Sequence, residues 1–330
     1  MGFVLGLGML GLILDSRTAM QGAMEGVELC LTAVIPSLLP FLCLSMCLTD
    51  RLWGRKSRAL GLLGRLFRLP EGAEALLIPA LLGGYPAGAA CVGRAMERGQ
   101  TSQEDAQRLL GFCGNPGPAF LFGIVGHQFR SPLAAWGLWA LVIAGAVAAA
   151  WVLPSCRGTV KVSGGSGGDA LGAAGAAMGK ICVLVILFRV GLCFLRTYLP
   201  LDGTALVAVQ GLVELTNGCC ALASVPSEKT RFLLAAGMVS CGGLCVGLQT
   251  GQVTRGLSLR FYWLGKLIQT LTALTLGWMV LEKAWILGVG LLLGAILLKK
   301  SRKTVAFFRN RVYTTYKKDT GRKPCFSVKK

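Results

Sequence analysis

The chain predicts an all-α, polytopic membrane protein with two pseudo-repeats, each containing a Gly-rich re-entrant hairpin or broken helix. Three observations predict it. First, 54% of the residues are apolar, only 15% are charged, and mean hydropathy is +0.63, a balance suited to lipid as solvent. Second, several apolar runs approach the roughly 20 residues that a helix needs to cross about 30 Å of hydrocarbon. Third, two stretches, Leu76–Gln100 (LLIPALLGGYPAGAACVGRAMERGQ) and Phe232–Gly256 (FLLAAGMVSCGGLCVGLQTGQVTRG), share one plan: an apolar run, a Gly-Gly pair, then small residues ending at a polar stretch with Arg. An uninterrupted helix gains nothing from Gly-Gly, since each Gly costs about 1 kcal/mol against Ala. Paired, interrupted apolar segments in two halves are the sequence mark of a transporter's solute site, because unwound backbone there can face a cavity instead of lipid.

The elements follow in order. The opening run Gly2–Leu14 is short for a span, and lacks the basic start and cleavage site of a signal peptide; it reads as a retained first helix. Spans are expected at Val27–Leu48, Leu109–Gly126, Pro132–Leu153, Met178–Leu199, Thr204–Ala223, Tyr262–Leu281 and Ala284–Leu298. Residues Leu60–Leu69 alternate apolar and basic side chains at helical spacing and suit an interfacial helix. This divides the chain into a first membrane half, 1–156, with its hairpin at 73–99; a Gly/Ser linker, 157–172; a second membrane half, 173–298, with its hairpin at 232–251; and a basic cytoplasmic tail, 299–330. Whether the halves run parallel or inverted turns on how the first short helix is counted.

The net charge of +19 is local. Six basic residues fall between Arg51 and Arg68 and twelve between Lys299 and Lys330; the other sixteen nearly balance fourteen acidic ones. Such clusters beside spans face the cytoplasm and bind anionic headgroups. That reading, rather than a nucleic-acid tail, is adopted despite the aromatic residues in the tail. The 13 cysteines lie mostly inside apolar runs, where they behave as small hydrophobes. With a single histidine, His127, and no CxxC pair, neither metal nor cofactor is expected. His127 reads as a loop residue between two spans.

Recognition chemistry concentrates at the interruptions. A helix broken inside the membrane exposes N–H groups at its new N-terminus, and these attract anions. Gly83, Gly84 and Gly88 permit the tight turn, Tyr85 stands at its tip, and Pro86 fixes φ. Asn115-Pro116-Gly117-Pro118 places a second break, with Asn115 offering a side-chain amide. In the second half Ser240 opens the Gly-rich element and Gln249 and Thr250 end it, while Glu214, Thr216 and Asn217 sit within an apolar span. Arg189 is a charge in mid-span, costing at least ~2.5 kcal/mol without a partner; it is expected to pair with Glu214 or to meet a solute carboxylate. Each group has a structural alternative: Gly for close helix packing, polar side chains for satisfying local backbone.

The run GGYPAGAACVGRAMERGQTSQEDAQRLLGFCGNPGPAFLFGIVG, with GVELCLTAVIPSLLPFLCLS, GLVELTNGC and SCGGLCVGLQT, resembles the YlbJ-type sporulation integral membrane proteins of the nucleoside-recognition, or Gate, domain group. The G-Y-P-A-G hairpin followed by N-P-G-P-A-F is its most specific part. The resemblance implies a multi-pass protein of the bacterial cell membrane, related to hairpin-containing nucleoside transporters. For the sporulation branch it implies movement of dipicolinic acid, at the outer forespore membrane. The chain departs from the pattern in its short first helix, its basic tail and several of its Cys.

The expected function is therefore transport of a small anionic or heteroaromatic solute, dipicolinic acid first. A Gate-type nucleoside transporter and a non-transporting membrane scaffold are the alternatives. No Ser/His/Asp order, HExxH or Walker loop is present, so an enzyme is not expected. Expected partners are the solute and membrane lipid, with room for a coupling ion and a membrane-protein partner, and no nucleic acid.

Overall fold

The computed structural model describes residues 2–53, 55, 58–70, 72–155 and 170–283. The expected span Ala284–Leu298, the tail 299–330 and linker residues 157–169 lie outside the described residues. Two compact units divide the chain, Met1–Gly277 and Trp278–Lys330; of the second, the described residues are 278–283. Among the described residues the secondary structure is helical throughout, without a strand. Six runs are long and apolar enough to cross a membrane: Ser16–Leu52, Gln103–Gln128, Leu133–Val152, Ala170–Tyr198, Glu228–Val253 and Arg260–Leu281. The chain is a multi-pass membrane protein.

Helix α1 (Gly2–Leu14) stops at Asp15, whose side chain accepts from Thr18 N at 3.1 Å and caps α2 (Ser16–Leu29), satisfying a donor that the helix start leaves open. A wide π-helical turn at Cys30–Val34 joins α2 to α3 (Ile35–Leu52). It lies just ahead of Pro36 and Pro40, which cannot donate to the preceding turn. The 37-residue run spans about 55 Å, well beyond the hydrocarbon thickness. Helix α10 (Ala170–Tyr198) packs along it. A Cβ at Gly22 would stand 2.7 Å from Val190 Cα, and one at Gly26 2.8 Å from Ile186 Cα. Two small residues one turn apart let these backbones meet. Helix α4 (Arg58–Leu66) exposes Leu62, Leu63 and Leu66.

The rest builds the site. A short turn at Glu74–Leu76 leads into α5 (Leu77–Leu81), which folds back on α6 (Ala87–Glu97). Helix α7 (Gln103–Cys113) ends in extended backbone at Gly114–Gly117; α8 (Pro118–Phe120) then continues through wide and tight turns to Gln128, and α9 (Leu133–Val152) follows. After α10, α11 (Gly203–Val213) stops at Glu214 in extended conformation, and α12 (Leu215–Cys220) folds back against it. Helix α13 (Glu228–Cys241) ends at Gly242, with φ 80°, and α14 (Gly243–Val253) begins; α15 (Arg260–Leu281) closes the series.

One sequence expectation is corrected. Thr204–Ala223 is no span: Glu214 breaks it, because its carboxylate caps the next helix and its backbone leaves helical geometry. The two Gly-rich stretches take different forms: α5 and α6 fold back on each other, whereas α13 and α14 are joined by a break at Gly242. Gly-Gly is cheap wherever backbone must turn, so it occurs in both kinds of element.

Candidate functional site

The four breaks meet, and glycines set how closely. A Cβ on Gly88 would lie 1.8 Å from Cys113 O, so α6 packs directly on the end of α7. One on Gly117 would lie 2.9 Å from Gly84 N, joining the first two breaks. Gly242 faces the Tyr85 ring, where a Cβ would stand 3.2 Å from Cζ; one on Gly243 would lie 2.8 Å from Gly211 O. The second Gly-Gly element thus touches the first hairpin on one side and the Glu214 break on the other.

At this junction lies Lys266 of α15, 2% exposed. Its ammonium donates to Tyr85 Oη at 2.7 Å, Gln269 Oε1 at 3.0 Å, Ser240 O at 3.2 Å and Gly114 O. It also stands 4.6 Å from the Tyr85 ring centroid, within cation–π range. Tyr85 Oη in turn donates to Val239 O at 3.0 Å. The approach of α15 is permitted by Gly265, whose Cβ would lie 1.9 Å from Gly111 O, and is fixed by Gln269 Nε2 donating to that same oxygen at 2.9 Å. Lys266 was not among the sequence candidates. The available signal was a lone charge inside the apolar run Tyr262–Leu281, the criterion that singled out Arg189.

Beside the junction is a narrow crevice of about 30 Å³, lined by Tyr85, Pro116, Gly117, Glu214, Thr216 and Gln249 and by apolar side chains of α3, α10 and α14. Glu214 is 2% exposed. Its carboxylate accepts from Thr216 N at 3.1 Å, Asn217 N at 2.8 Å and Asn217 Nδ2 at 2.6 Å. The N-terminus of α12, where unpaired amides would attract an anion, is thus already filled by the protein's own carboxylate.

Arg189 does not pair with Glu214. Its ion partner is Glu25 of α2, at 2.5 Å, and it also donates to Asn217 Oδ1. Asn217 therefore stands between them, accepting from Arg189 and donating to Glu214. Sequence reasoning missed Glu25 because Arg17, Gln21 and Glu25 precede the expected span at Val27–Leu48. The helix begins at Ser16 instead. Arg189, Glu25, Glu28, Arg196, Asn217 and Cys220 line a second, more open cavity of about 380 Å³.

Of the sequence candidates, Tyr85, Pro116, Glu214 and Gln249 line the crevice. Arg189 and Asn217 line the second cavity. Asn115 lines neither; its amide donates to Ala80 O at 2.9 Å and Phe112 O at 2.8 Å, strapping the second break to α5. Pro86 caps α6 after a cis peptide bond, and Gly88 serves the approach to α7. Ser240 contributes its carbonyl to Lys266. Thr250 is buried in α14, its carbonyl accepting from Thr254 Oγ1 at 2.7 Å. Among the described residues no group of three or more His, Cys, Asp or Glu could hold a metal ion.

The chain is similar to the sporulation integral membrane protein YlbJ of Bacillus subtilis (strain 168), with 31% identity over 118 residues. The matched segment covers 34% of this chain and 28% of that protein. No protein-family model matches the chain, and no solved structure matches it.

Proposed function

We propose that the protein is a membrane transporter of a small, flat heteroaromatic solute that binds beside Tyr85, Glu214 and Gln249 when the helix breaks around the narrow crevice separate. The observation that carries this reading is the convergence of four helix breaks, two from each half of the chain, on one buried polar junction. Broken helices meeting in the membrane are costly unless they serve a solute path.

The element order supports a topology in which α5–α6 and α11–α12 each enter and leave on one side, and in which long helix, folded-back pair, broken helix and long helix occur twice. Three crossings, Ser16–Leu52, Gln103–Gln128 and Leu133–Val152, separate equivalent points of the two series, so the second series is inverted relative to the first. With the basic cluster Arg51–Arg68 on the cytoplasmic side, residues 98–102 and 254–259 fall on that side as well.

Dipicolinic acid is the first solute to test, because the chain is similar to a sporulation integral membrane protein; the outer forespore membrane is the corresponding location. A nucleoside is the second, and the crevice favours it: Glu214, Gln249 and Thr216 suit a neutral ring with N–H and O–H groups, and a carboxylate facing the solute disfavours a dianion. The test is uptake of labelled dipicolinate and labelled uridine into liposomes carrying the purified protein, with Gln249→Ala beside the unsubstituted chain. Uptake of either that falls at least tenfold in Gln249→Ala supports the reading and names the solute. Uptake of neither by correctly folded protein refutes it and leaves a membrane scaffold.

A further inference from the structure

Lys266 is a buried cation held by backbone. Among the described residues its hydrogen-bond partners include no carboxylate: they are two main-chain carbonyls, a phenol and a side-chain amide. The two carbonyls have a common origin. Gly114 is the C-cap of α7, and Ser240 lies in the last turn of α13, whose C-cap is Gly242. The final carbonyls of a helix lack intrahelical partners and carry the negative end of its dipole. Two helices, one from each half, therefore end on a single ammonium. In carriers built from discontinuous helices, such ends are where a coupling cation is coordinated.

We propose that the Lys266 ammonium is this protein's own coupling cation: it occupies the position a metal ion would take between the two helix ends, and loss of its proton releases the junction. The inference rests on the transport reading for its purpose, but not for its physics. An ammonium has three N–H groups and no acceptor. It serves Gly114 O, Ser240 O and one of its two side-chain partners together, and so ties α7, α13 and α15. Through Tyr85 it also ties the first hairpin, since Tyr85 Oη donates onward to Val239 O. A neutral amine keeps two N–H groups and gains a lone pair, which repels the carbonyls it faces. The proton passes to water entering as the breaks separate, and a proton from the other side restores the clamp. The titratable groups around Lys266 are Tyr85 from the first hairpin, Tyr262 from its own helix and Cys241 from α13. None of them is a carboxylate, so they offer its charge no counter-ion. Glu214 lines the crevice beside the junction, whose lining does not include Lys266.

Hydrogen exchange on the full chain in lipid nanodiscs tests this without any solute. Protection of residues 82–88 and 240–246, corrected for intrinsic exchange, is followed against pH in sodium chloride and in choline chloride. The expected result is a drop of at least tenfold as pH rises through one narrow interval, the same in both salts, and absent in Lys266→Arg, whose charge is permanent. Protection that is flat with pH, a drop retained in Lys266→Arg, or protection restored by sodium at high pH would each overturn the proposal. If the arginine variant fails to fold, the pH and salt series on the unsubstituted chain decides alone. Liposome uptake separates the two readings. A pH-dependent clamp without uptake of dipicolinate or uridine keeps this inference and removes the transporter; uptake that requires sodium and ignores pH keeps the transporter and removes this inference.

Discussion

Lys266 and Arg189 are both basic residues inside apolar helices, and the protein accommodates them in opposite ways. Arg189 lies on the wall of an open cavity and is neutralised by a carboxylate, Glu25, on a neighbouring helix. Its surroundings are side chains, and the backbones of α2 and α10 remain helical on either side. Lys266 is sealed within the fold and surrounded by main-chain oxygen. Its accommodation requires that two helices end beside it, and that α15 approach α7 to within glycine distance. A charge paired with a charge can be replaced by another such pair. A charge solvated by helix ends is tied to the path of the backbone, so the two sites should fail differently under mutation.

The largest effect is expected where the backbone sets the site. Gly265→Ala places a Cβ 1.9 Å from Gly111 O, which neither backbone can yield without moving α15. The cost should be about 1–3 kcal/mol or more, read as a fall in unfolding free energy in detergent, with faster exchange at residues 240–246. On the Arg189 helix, a Cβ added at Gly191 would meet nothing within 4 Å. Gly191→Ala should be neutral or gain up to about 1 kcal/mol of helix propensity. Equal costs at the two glycines would dissolve the contrast.

Next comes the carboxylate partner. Glu25→Ala leaves Arg189 with Asn217 but no counter-charge, and should cost about 1–3 kcal/mol, short of the value for a fully buried pair because both side chains reach the cavity. Glu25→Arg with Arg189→Glu should recover at least half of what either single reversal loses. Absence of coupling in that double-mutant cycle would show that the pair contributes nothing. A smaller loss is expected for Glu214→Gln, which keeps the shape of the α12 cap but removes its charge. A helix cap of this kind is worth about 1 kcal/mol, and the measured loss should shrink in an Asn217→Ala background, because Asn217 Nδ2 is one of the groups that Glu214 accepts from.

The same contrast explains what was legible in the sequence. Membrane spans were readable because apolar run length is a one-dimensional property, and breaks at Gly83-Gly84, Asn115-Pro116 and Gly242-Gly243 were readable because Gly and Pro act locally. The break at Glu214 was not, because it comes from a side chain bonding amides two and three residues ahead in an otherwise apolar helix. Arg189 stood out in ICVLVILFRVGLCFL, whereas Lys266 lay among Tyr262, Trp263, Gln269 and Thr270, close enough to the helix start to pass as a flank. Its partners come from residues 85, 114 and 240, and no local pattern announces that three distant breaks meet. Asn115 shows the converse error: a polar residue at a break suggested solute contact, and its amide holds backbone instead.

The smallest effect sharpens the comparison most. Tyr85→Phe removes the phenol oxygen that accepts from Lys266 and donates to Val239 O. The ring stays, and with it the cation–π contact at 4.6 Å. Lys266 still has Gly114 O, Ser240 O and Gln269 Oε1, enough for its three N–H groups, so the ammonium is not orphaned. Val239 O lies one residue before Ser240 in the last turn of α13, where a carbonyl can retain partial satisfaction through relaxed geometry. The loss should therefore be about 1 kcal/mol, the net worth of an ordinary hydrogen bond. Charge solvated by several helix-end carbonyls tolerates the loss of one acceptor; charge balanced by one carboxylate does not. Tyr85→Phe should thus cost less than Glu25→Ala, although Tyr85 is far more buried. If Tyr85→Phe costs more, the phenol and not the helix ends is the principal support of Lys266, and the clamp passes through the first hairpin alone.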